Sequence, residues 1–240
     1  MKRFCILLAA AAQAGCAAAP PARDLPSYTC PVASQKLKID GELSDPAWKD
    51  APLTPPFALP FGSSLKTPLT RMKILHDDSA LYFAFECHDA DIWCTFADRD
   101  DPVHLEEAIG LYVDPLGDGR DFYGFCINAN NALLDLKRPS GAGVGTNKWL
   151  EYVRWNAEGV EHAVKVQGTI NSRNDTDTGW TLELKIPFDA LEARPKPGDV
   201  WRLQAGRYEM PRYGGLLVPT WSETTIMFDP RNFGKLIFME

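Results

Sequence analysis

Residues 103–136 constrain the fold more than any other stretch. Ile109, Leu111 and Val113 alternate with Ala108, Gly110 and Tyr112, the period of a half-buried strand. Tyr123, Phe125 and Ile127 repeat the pattern against Phe122, Gly124, Cys126 and Asn128. Between the two runs, Asp114 to Asp121 holds Pro115, Gly117 and Gly119, which supply the backbone angles a chain reversal needs. Paired across that turn, the aliphatic sets face one core and Gly110 and Gly124 share the opposite face. A glycine inside a strand marks close approach by a ligand or by another part of the chain. Both readings are open from the sequence.

The first residues stand outside this pattern. Lys2 and Arg3 precede an apolar run, Phe4 to Ala12, too short to span a bilayer as a mature helix. Gln13-Ala-Gly-Cys16 follows and resembles a bacterial lipoprotein signal, with Cys16 as the lipidated first residue. Gln13 stands where such signals prefer an aliphatic residue, so plain secretion with cleavage near Ala19 or Ala22 is the rival reading. Either reading exports the protein, to the periplasm, outer membrane or cell surface, with membrane contact only through a lipid anchor. The expected division is a signal peptide over 1–15, a flexible Ala- and Pro-rich tether over 16–34, and one domain over 35–240. Removing Lys2 and Arg3 takes the formal charge from −7 to −9, which argues against nucleic acid or anionic lipid as partner. Cys30, Cys87, Cys94 and Cys126 remain beyond Cys16. In an oxidising compartment they allow two disulfides in three connectivities, or four buried small residues.

Lys36 to Asp40 alternates as a short strand, and Ser44-Asp-Pro-Ala-Trp48 reads as one helical turn with Ser44 or Asp45 as cap and Trp48 plugging one end of the core. Five prolines between 52 and 68 mark a loop or sheet edge. Strands are predicted over 69–76, 80–87, 149–155, 162–170, 179–186, 200–208 and 234–239 besides the central pair. About ten short strands and no long helix predict an all-β antiparallel sandwich or jelly roll.

Five segments in this order carry a family resemblance. They are Lys38-Ile-Asp-Gly-Glu-Leu-Ser-Asp-Pro-Ala-Trp48, Leu81-Tyr-Phe-Ala-Phe-Glu86, Glu107 to Asn128, Gly179-Trp-Thr-Leu-Glu-Leu-Lys-Ile-Pro-Phe188 and Pro230-Arg-Asn-Phe-Gly-Lys-Leu236. Together they resemble family 9 carbohydrate-binding modules, related to DOMON-like sandwiches. The resemblance implies a β-sandwich, often calcium-stabilised, that binds sugars or polysaccharide ends. In the best-described members two tryptophans clamp a sugar beside a carboxylate and an arginine. Those positions fall here at His104, at Met227 or Phe228, at Gly110 and at Cys126, so the usual clamp is missing.

Other residues offer a replacement. An exposed aromatic ring suits the flat C–H face of a pyranose, with polar neighbours bonding its hydroxyls. Trp48, Trp180 and Trp201 fit core patterns, and Trp221 is ambiguous. Trp93 in an acidic loop and Trp149 after a Gly-rich loop are the stacking candidates, with Tyr123; His104, Glu106, Asn128 and Asn130 are the hydrogen-bonding candidates. Asp114, Asp118 and Asp121 are the candidate ligands for a structural calcium ion, in a spacing that matches no EF-hand. Catalysis has little support: Glu106 and Glu107 are adjacent and face opposite sides of a strand, the four histidines lack metal spacing, and nothing selects a glycosidase built from carboxylates on distant loops. The expectation is an exported, non-catalytic module that holds saccharide. The alternative is the same sandwich with its sugar site lost, serving protein interaction or haem binding between His104 and Met227.

Overall fold

The computed structural model describes residues 24–60, 63–138, 152–212 and 214–240. Ten strands run in chain order: β1 Ser27–Cys30, β2 Thr70–His76, β3 Ala80–His88, β4 Ala108–Asp114, β5 Phe122–Asn128, β6 Leu133–Arg138, β7 Glu161–Gln167, β8 Gly179–Pro187, β9 Val200–Tyr208 and β10 Gly234–Phe238. They form a six-stranded sheet, β1-β10-β9-β4-β5-β6, and a four-stranded sheet, β2-β3-β8-β7. All pairs are antiparallel except β1 with β10. The predicted sandwich is therefore observed.

The central hairpin forms in the expected register, with Ile109 opposite Ile127 and Leu111 opposite Phe125. Period-2 alternation sends these side chains into the main core. There they meet Leu203 and Ala205 of β9, Phe83 and Phe85 of β3, and Trp180, Leu182, Leu184 and Ile186 of β8. Trp201 packs edge-on against Phe238 at 4.9 Å between ring centres. All four described cysteines are buried and free, which fits the second of the two readings left open by the sequence, that of buried small residues.

Both outer faces are covered too. On the six-stranded sheet, Tyr112, Phe122, Cys126, Leu134, Leu136 and Tyr208 form a second core with Met227 and Phe233, which lie beyond β9. The glycines of the hairpin belong to this face. A Cβ on Gly110 would lie 2.7 Å from the Met227 methyl, and one on Gly124 would lie 3.0 Å from the Tyr112 ring. What approaches those glycines is the chain itself.

On the four-stranded sheet, residues 37–51 lie across the strands with Trp48 buried against Leu75, Ala80, Tyr82 and Ala84. Trp48 therefore seals the outside of this sheet and does not plug the main core. One residue anchors the segment. Glu183 of β8 is fully buried; its Oε2 accepts the amides of Asp40 and Gly41, each at 2.9 Å, and its Oε1 accepts Trp48 Nε1 at 2.7 Å. Gly41 has φ +81°, and a Cβ there would strike the backbone at Val164 and Lys165, 2.8 Å away.

Four local expectations change. Lys36–Asp40 is not a strand, because its amides turn to the side chains of Glu183 and Asp45. Residues 27–30, placed in a tether by composition, form β1; Tyr28 and Cys30 are buried and the Tyr28 hydroxyl bonds the backbone of Ile74 and Pro52. Residues 152–154 make a helical turn, not part of a strand, while 149–151 lie outside the described residues. The stretch after Asn128 adds β6, which pairs with β5. Among the described residues, no helix is long and apolar enough to cross a membrane.

Candidate functional site

Three predicted site residues, Glu106, Asn128 and Asn130, meet at residues 92–96, a loop that follows β3 and carries a fourth, Trp93. A loop segment without a strand partner must still satisfy its backbone polar groups. Here side chains do so at every amide. Ile92 donates to Asp177 at 2.8 Å, Trp93 to Glu107 at 3.0 Å and Cys94 to Asn171 at 3.0 Å. Thr95 and Phe96 both donate to Glu106, at 2.6 and 3.1 Å. The carbonyls are held likewise: Asn130 donates to Cys94 and Phe96, and Asn128 donates to Phe96 at 2.8 Å. Asn171 adds a bond to Cys94 at 2.7 Å.

Three of the residues expected to bond sugar hydroxyls are therefore engaged by the protein itself. Glu106 has one oxygen on two amides and the other on the Thr95 hydroxyl. Asn128 is fully buried and also accepts the amide of Ala132. Asn130 spends its amide group on the two loop carbonyls. The sequence marked them as hydrogen-bonding candidates near the central hairpin; that their partners are loop backbone was not legible there.

What the cradle presents is Trp93. Its half-buried indole carries the Arg173 guanidinium over the ring, 4.3 Å from the centroid, and Arg173 also faces Asp91 at 3.8 Å. Arg173 was missed in the sequence because it lies 80 positions away in a polar turn. Tyr123 is not available for stacking. It is buried in the main core against Trp155, with ring centres 5.2 Å apart. Trp149, the remaining stacking candidate, lies outside the described residues.

The positions to which the resemblance assigns the family's clamp, His104, Gly110, Cys126 and Met227 or Phe228, are occupied mostly by packed side chains. His104 sits half-buried in a 3-10 turn, Val103–Leu105, with its ring edge-on to Tyr208 at 6.3 Å. Burial pulls its imidazole below the ordinary pKa. Tyr208 and Tyr112 bring their hydroxyls together at 3.0 Å beside the buried Cys126 thiol. Met227 packs its thioether against Gly206 and Gly110, as a core methionine does, and this leaves the expected haem pairing with His104 without support from Met227. The next residue, Phe228, points the other way in burial: it is 48% exposed. Of the two positions suggested for the second clamp aromatic, Phe228 is the one a ligand can reach. Leu105 and Ile226 are exposed as well.

Beneath the Trp93 loop lies a buried charge network. Arg207 of β9 donates to His88 O at 2.8 Å and to Asp89 at 2.5 Å, and pairs with Glu209 at 2.6 Å. Asp89, Glu107 and Glu209 bring carboxyl oxygens within 4.8 Å of one another. Burial, then the Asp89 charge, pushes Glu107 up to about 9; burial pushes Glu209 up to about 7 against the pull of Arg207.

The expected calcium ligands do not assemble in this way. Asp114 is buried with its two oxygens on the amides of Gly117 and Gly119, and Asp118 accepts the amide of Arg120. Asp121 is half-buried and joins no carboxylate cluster among the described residues. The trio around Arg207 fits calcium poorly, because a guanidinium nitrogen already sits between Asp89 and Glu209. Elsewhere, a groove of about 540 Å³ on the four-stranded sheet is lined by both polar and apolar side chains, Glu42, Leu43, Glu86, Lys165, Trp180 and Thr181 among them.

Solved structures share the fold. A Bacteroides uniformis protein with a proposed carbohydrate-binding role superposes with TM-score 0.69 at 15% identity, over 90% of this chain and 100% of that one. A family 9 carbohydrate-binding module from Caldicellulosiruptor kristjanssonii in complex with cellotriose gives 0.63 at 17% identity, over 89% of this chain and 94% of that one. The complex of such a module from the same organism with glucose gives 0.60 at 16%, over 88% and 95%. No curated protein matches the chain. The carbohydrate family 9 binding domain-like family matches residues 39–240, which is most of the chain. The chain belongs to that family.

Proposed function

We propose that this protein is a non-catalytic, exported module that holds saccharide or polysaccharide ends near the cell surface. The observation that carries the reading is family membership over 39–240, on a fold whose structural neighbours bind cellotriose and glucose. With most clamp positions occupied by packed side chains, contact falls to accessible rings. Phe228 supplies an exposed ring where the family's second aromatic stands, and Trp93 with Arg173 supplies an indole edge beside hydrogen-bond donors. Sugars use that pairing of apolar ring and polar fork. The stretch ending at Cys16 supports export with a lipid anchor, since Lys2 and Arg3, the short apolar run and the small residues before Cys16 suit cleavage there.

Calorimetric titration of the mature protein with mono- and oligosaccharides tests the reading. Binding in the millimolar range or tighter, weakened by Phe228→Ala or Trp93→Ala, is the expected result. No heat from any member of a broad panel, glucose and cellotriose included, would overturn it.

A further inference from the structure

The Trp93 loop rests on a buried acid pair that does no work in the fold's hydrophobic packing. Glu107 immediately precedes β4 and is 1% exposed. One of its oxygens accepts the Trp93 amide. Asp89 lies beside it, with carboxyl oxygens of the two residues within 4.8 Å, close enough for its charge and a shared proton to raise the Glu107 pKa. Two carboxyl groups hydrogen-bond to each other only when one of them carries a proton.

The surroundings decide which one. Asp89 accepts from Arg207 at 2.5 Å and from the Asp91 amide at 3.0 Å, so both of its oxygens receive donors, the stronger of them cationic. That favours the carboxylate at Asp89. Glu107 makes no bond to Arg207 among those around the guanidinium, which go to His88, Asp89 and Glu209. Three buried carboxyls face a single guanidinium, and removing two unbalanced negative charges from water is costly unless protons neutralise them. The charged and titratable groups around Glu107 are Asp89, just after β3, Cys94 of the loop, Arg207 of β9, and Glu209, just after β9.

We infer that Glu107 is a positioning residue that holds the Trp93 loop as a neutral acid, accepting the Trp93 amide while donating its proton to Asp89, and that the loop loosens when this proton is lost. Burial and the Asp89 charge put that loss near pH 9. As a control on the loop, the inference stands on the Trp93 amide bond and on the buried carboxyl cluster beside it. As a control on ligand affinity, it rests on the saccharide reading above.

The test uses the full mature protein and Glu107→Gln. Glutamine keeps the side-chain length, accepts the Trp93 amide through its carbonyl and donates to Asp89 through its amide, so it copies the neutral acid at every pH. Side-chain carboxyl ¹³C resonances are followed from about pH 6 to about pH 11, a range that clears ordinary Asp and Glu titration. The wild type should show one carboxyl titrating near 9, absent in Glu107→Gln and retained in Glu209→Gln. Hydrogen exchange of a peptide spanning 89–96, corrected for intrinsic rate, should rise across the same step in wild type and stay flat in Glu107→Gln. A Glu107 carboxyl that titrates in the ordinary acidic range, or a loop whose protection in the wild type ignores the step, overturns the inference. Saccharide affinity measured at about pH 7 and about pH 10 adds a separate arm: a several-fold loss in wild type that Glu107→Gln abolishes extends the role to binding, whereas equal loss in both proteins refutes that extension. If no saccharide binds, the carboxyl and exchange results still decide the role of Glu107.

Discussion

Removing Glu183 should release the segment that seals the four-stranded sheet. Its carboxylate serves three donors: the amides of Asp40 and Gly41 and the indole N–H of Trp48. In Glu183→Ala all three lose their acceptor. Asp40 is half-buried and regains water, so it contributes little to the loss. Gly41 and Trp48 are buried, and each orphaned donor costs about 1–3 kcal/mol. With the vacated volume added, the loss is about 3–6 kcal/mol. For a domain of this size about 2–4 °C of melting temperature follows each kcal/mol, so Tm should fall by about 6–20 °C. Glu183→Gln keeps the volume and one acceptor oxygen but turns an amide toward a donor, so its loss should be about 1–3 kcal/mol. Equilibrium urea unfolding with calorimetric Tm measures both variants, and Trp48 fluorescence should shift to the red in Glu183→Ala. A Glu183→Ala protein within about 1 kcal/mol of wild type would refute the anchoring argument, because that is less than a single buried unsatisfied donor costs.

Further consequences follow from the same contacts. The folded-state pKa of Glu107 lies above its unfolded value, so the folded protein binds the extra proton. Stability from this group is full below the unfolded value of 4.5 and is lost as pH rises toward about 9; Glu107→Gln should flatten that fall in urea titrations. Gly110→Ala should cost about 1–3 kcal/mol by driving a methyl into Met227 and Tyr208, and Met227→Ala in the same chain should recover part of it; additivity of the two would refute the contact. A calcium chelator should leave Tm unchanged, because Arg207 supplies the cation at the carboxylate trio; a clear drop would place an ion in the fold. Arg173→Ala should raise hydrogen exchange in residues 89–96 only slightly, since the loop's amides are held by other side chains.

The sandwich was legible because its inner strands carry their period in plain view. Leu81 to Cys87 and Trp180 to Ile186 are buried where the alternation or the apolar run puts them. The hairpin register followed from the aliphatic sets and the turn between them. Failures fell where long-range partners decide. Leu37 and Ile39 alternate like a strand, yet a carboxylate about 140 residues away takes the backbone. β1 has four residues and one neighbour, too short for a period to emerge. At the candidate site the residue types were informative and their targets were not. Glu106, Asn128 and Asn130 have the same donors and acceptors whether they meet a sugar or a loop, and only the fold shows that residues 92–96 claim them. Likewise nothing in the pattern of residues 209–233 announced that Met227 would fill the face opposite the main core while Phe228 stays exposed.

The central claim is that saccharide binds through the accessible rings of Phe228 and Trp93. Titration calorimetry of wild type and of the Trp93→Ala/Phe228→Ala double variant against glucose and cello-oligosaccharides tests it directly. Saturable heat in wild type that the double variant loses, with Tm little changed, is the predicted result. Equal binding by both proteins would place the sugar elsewhere on the domain, and silence in both would contradict saccharide binding itself.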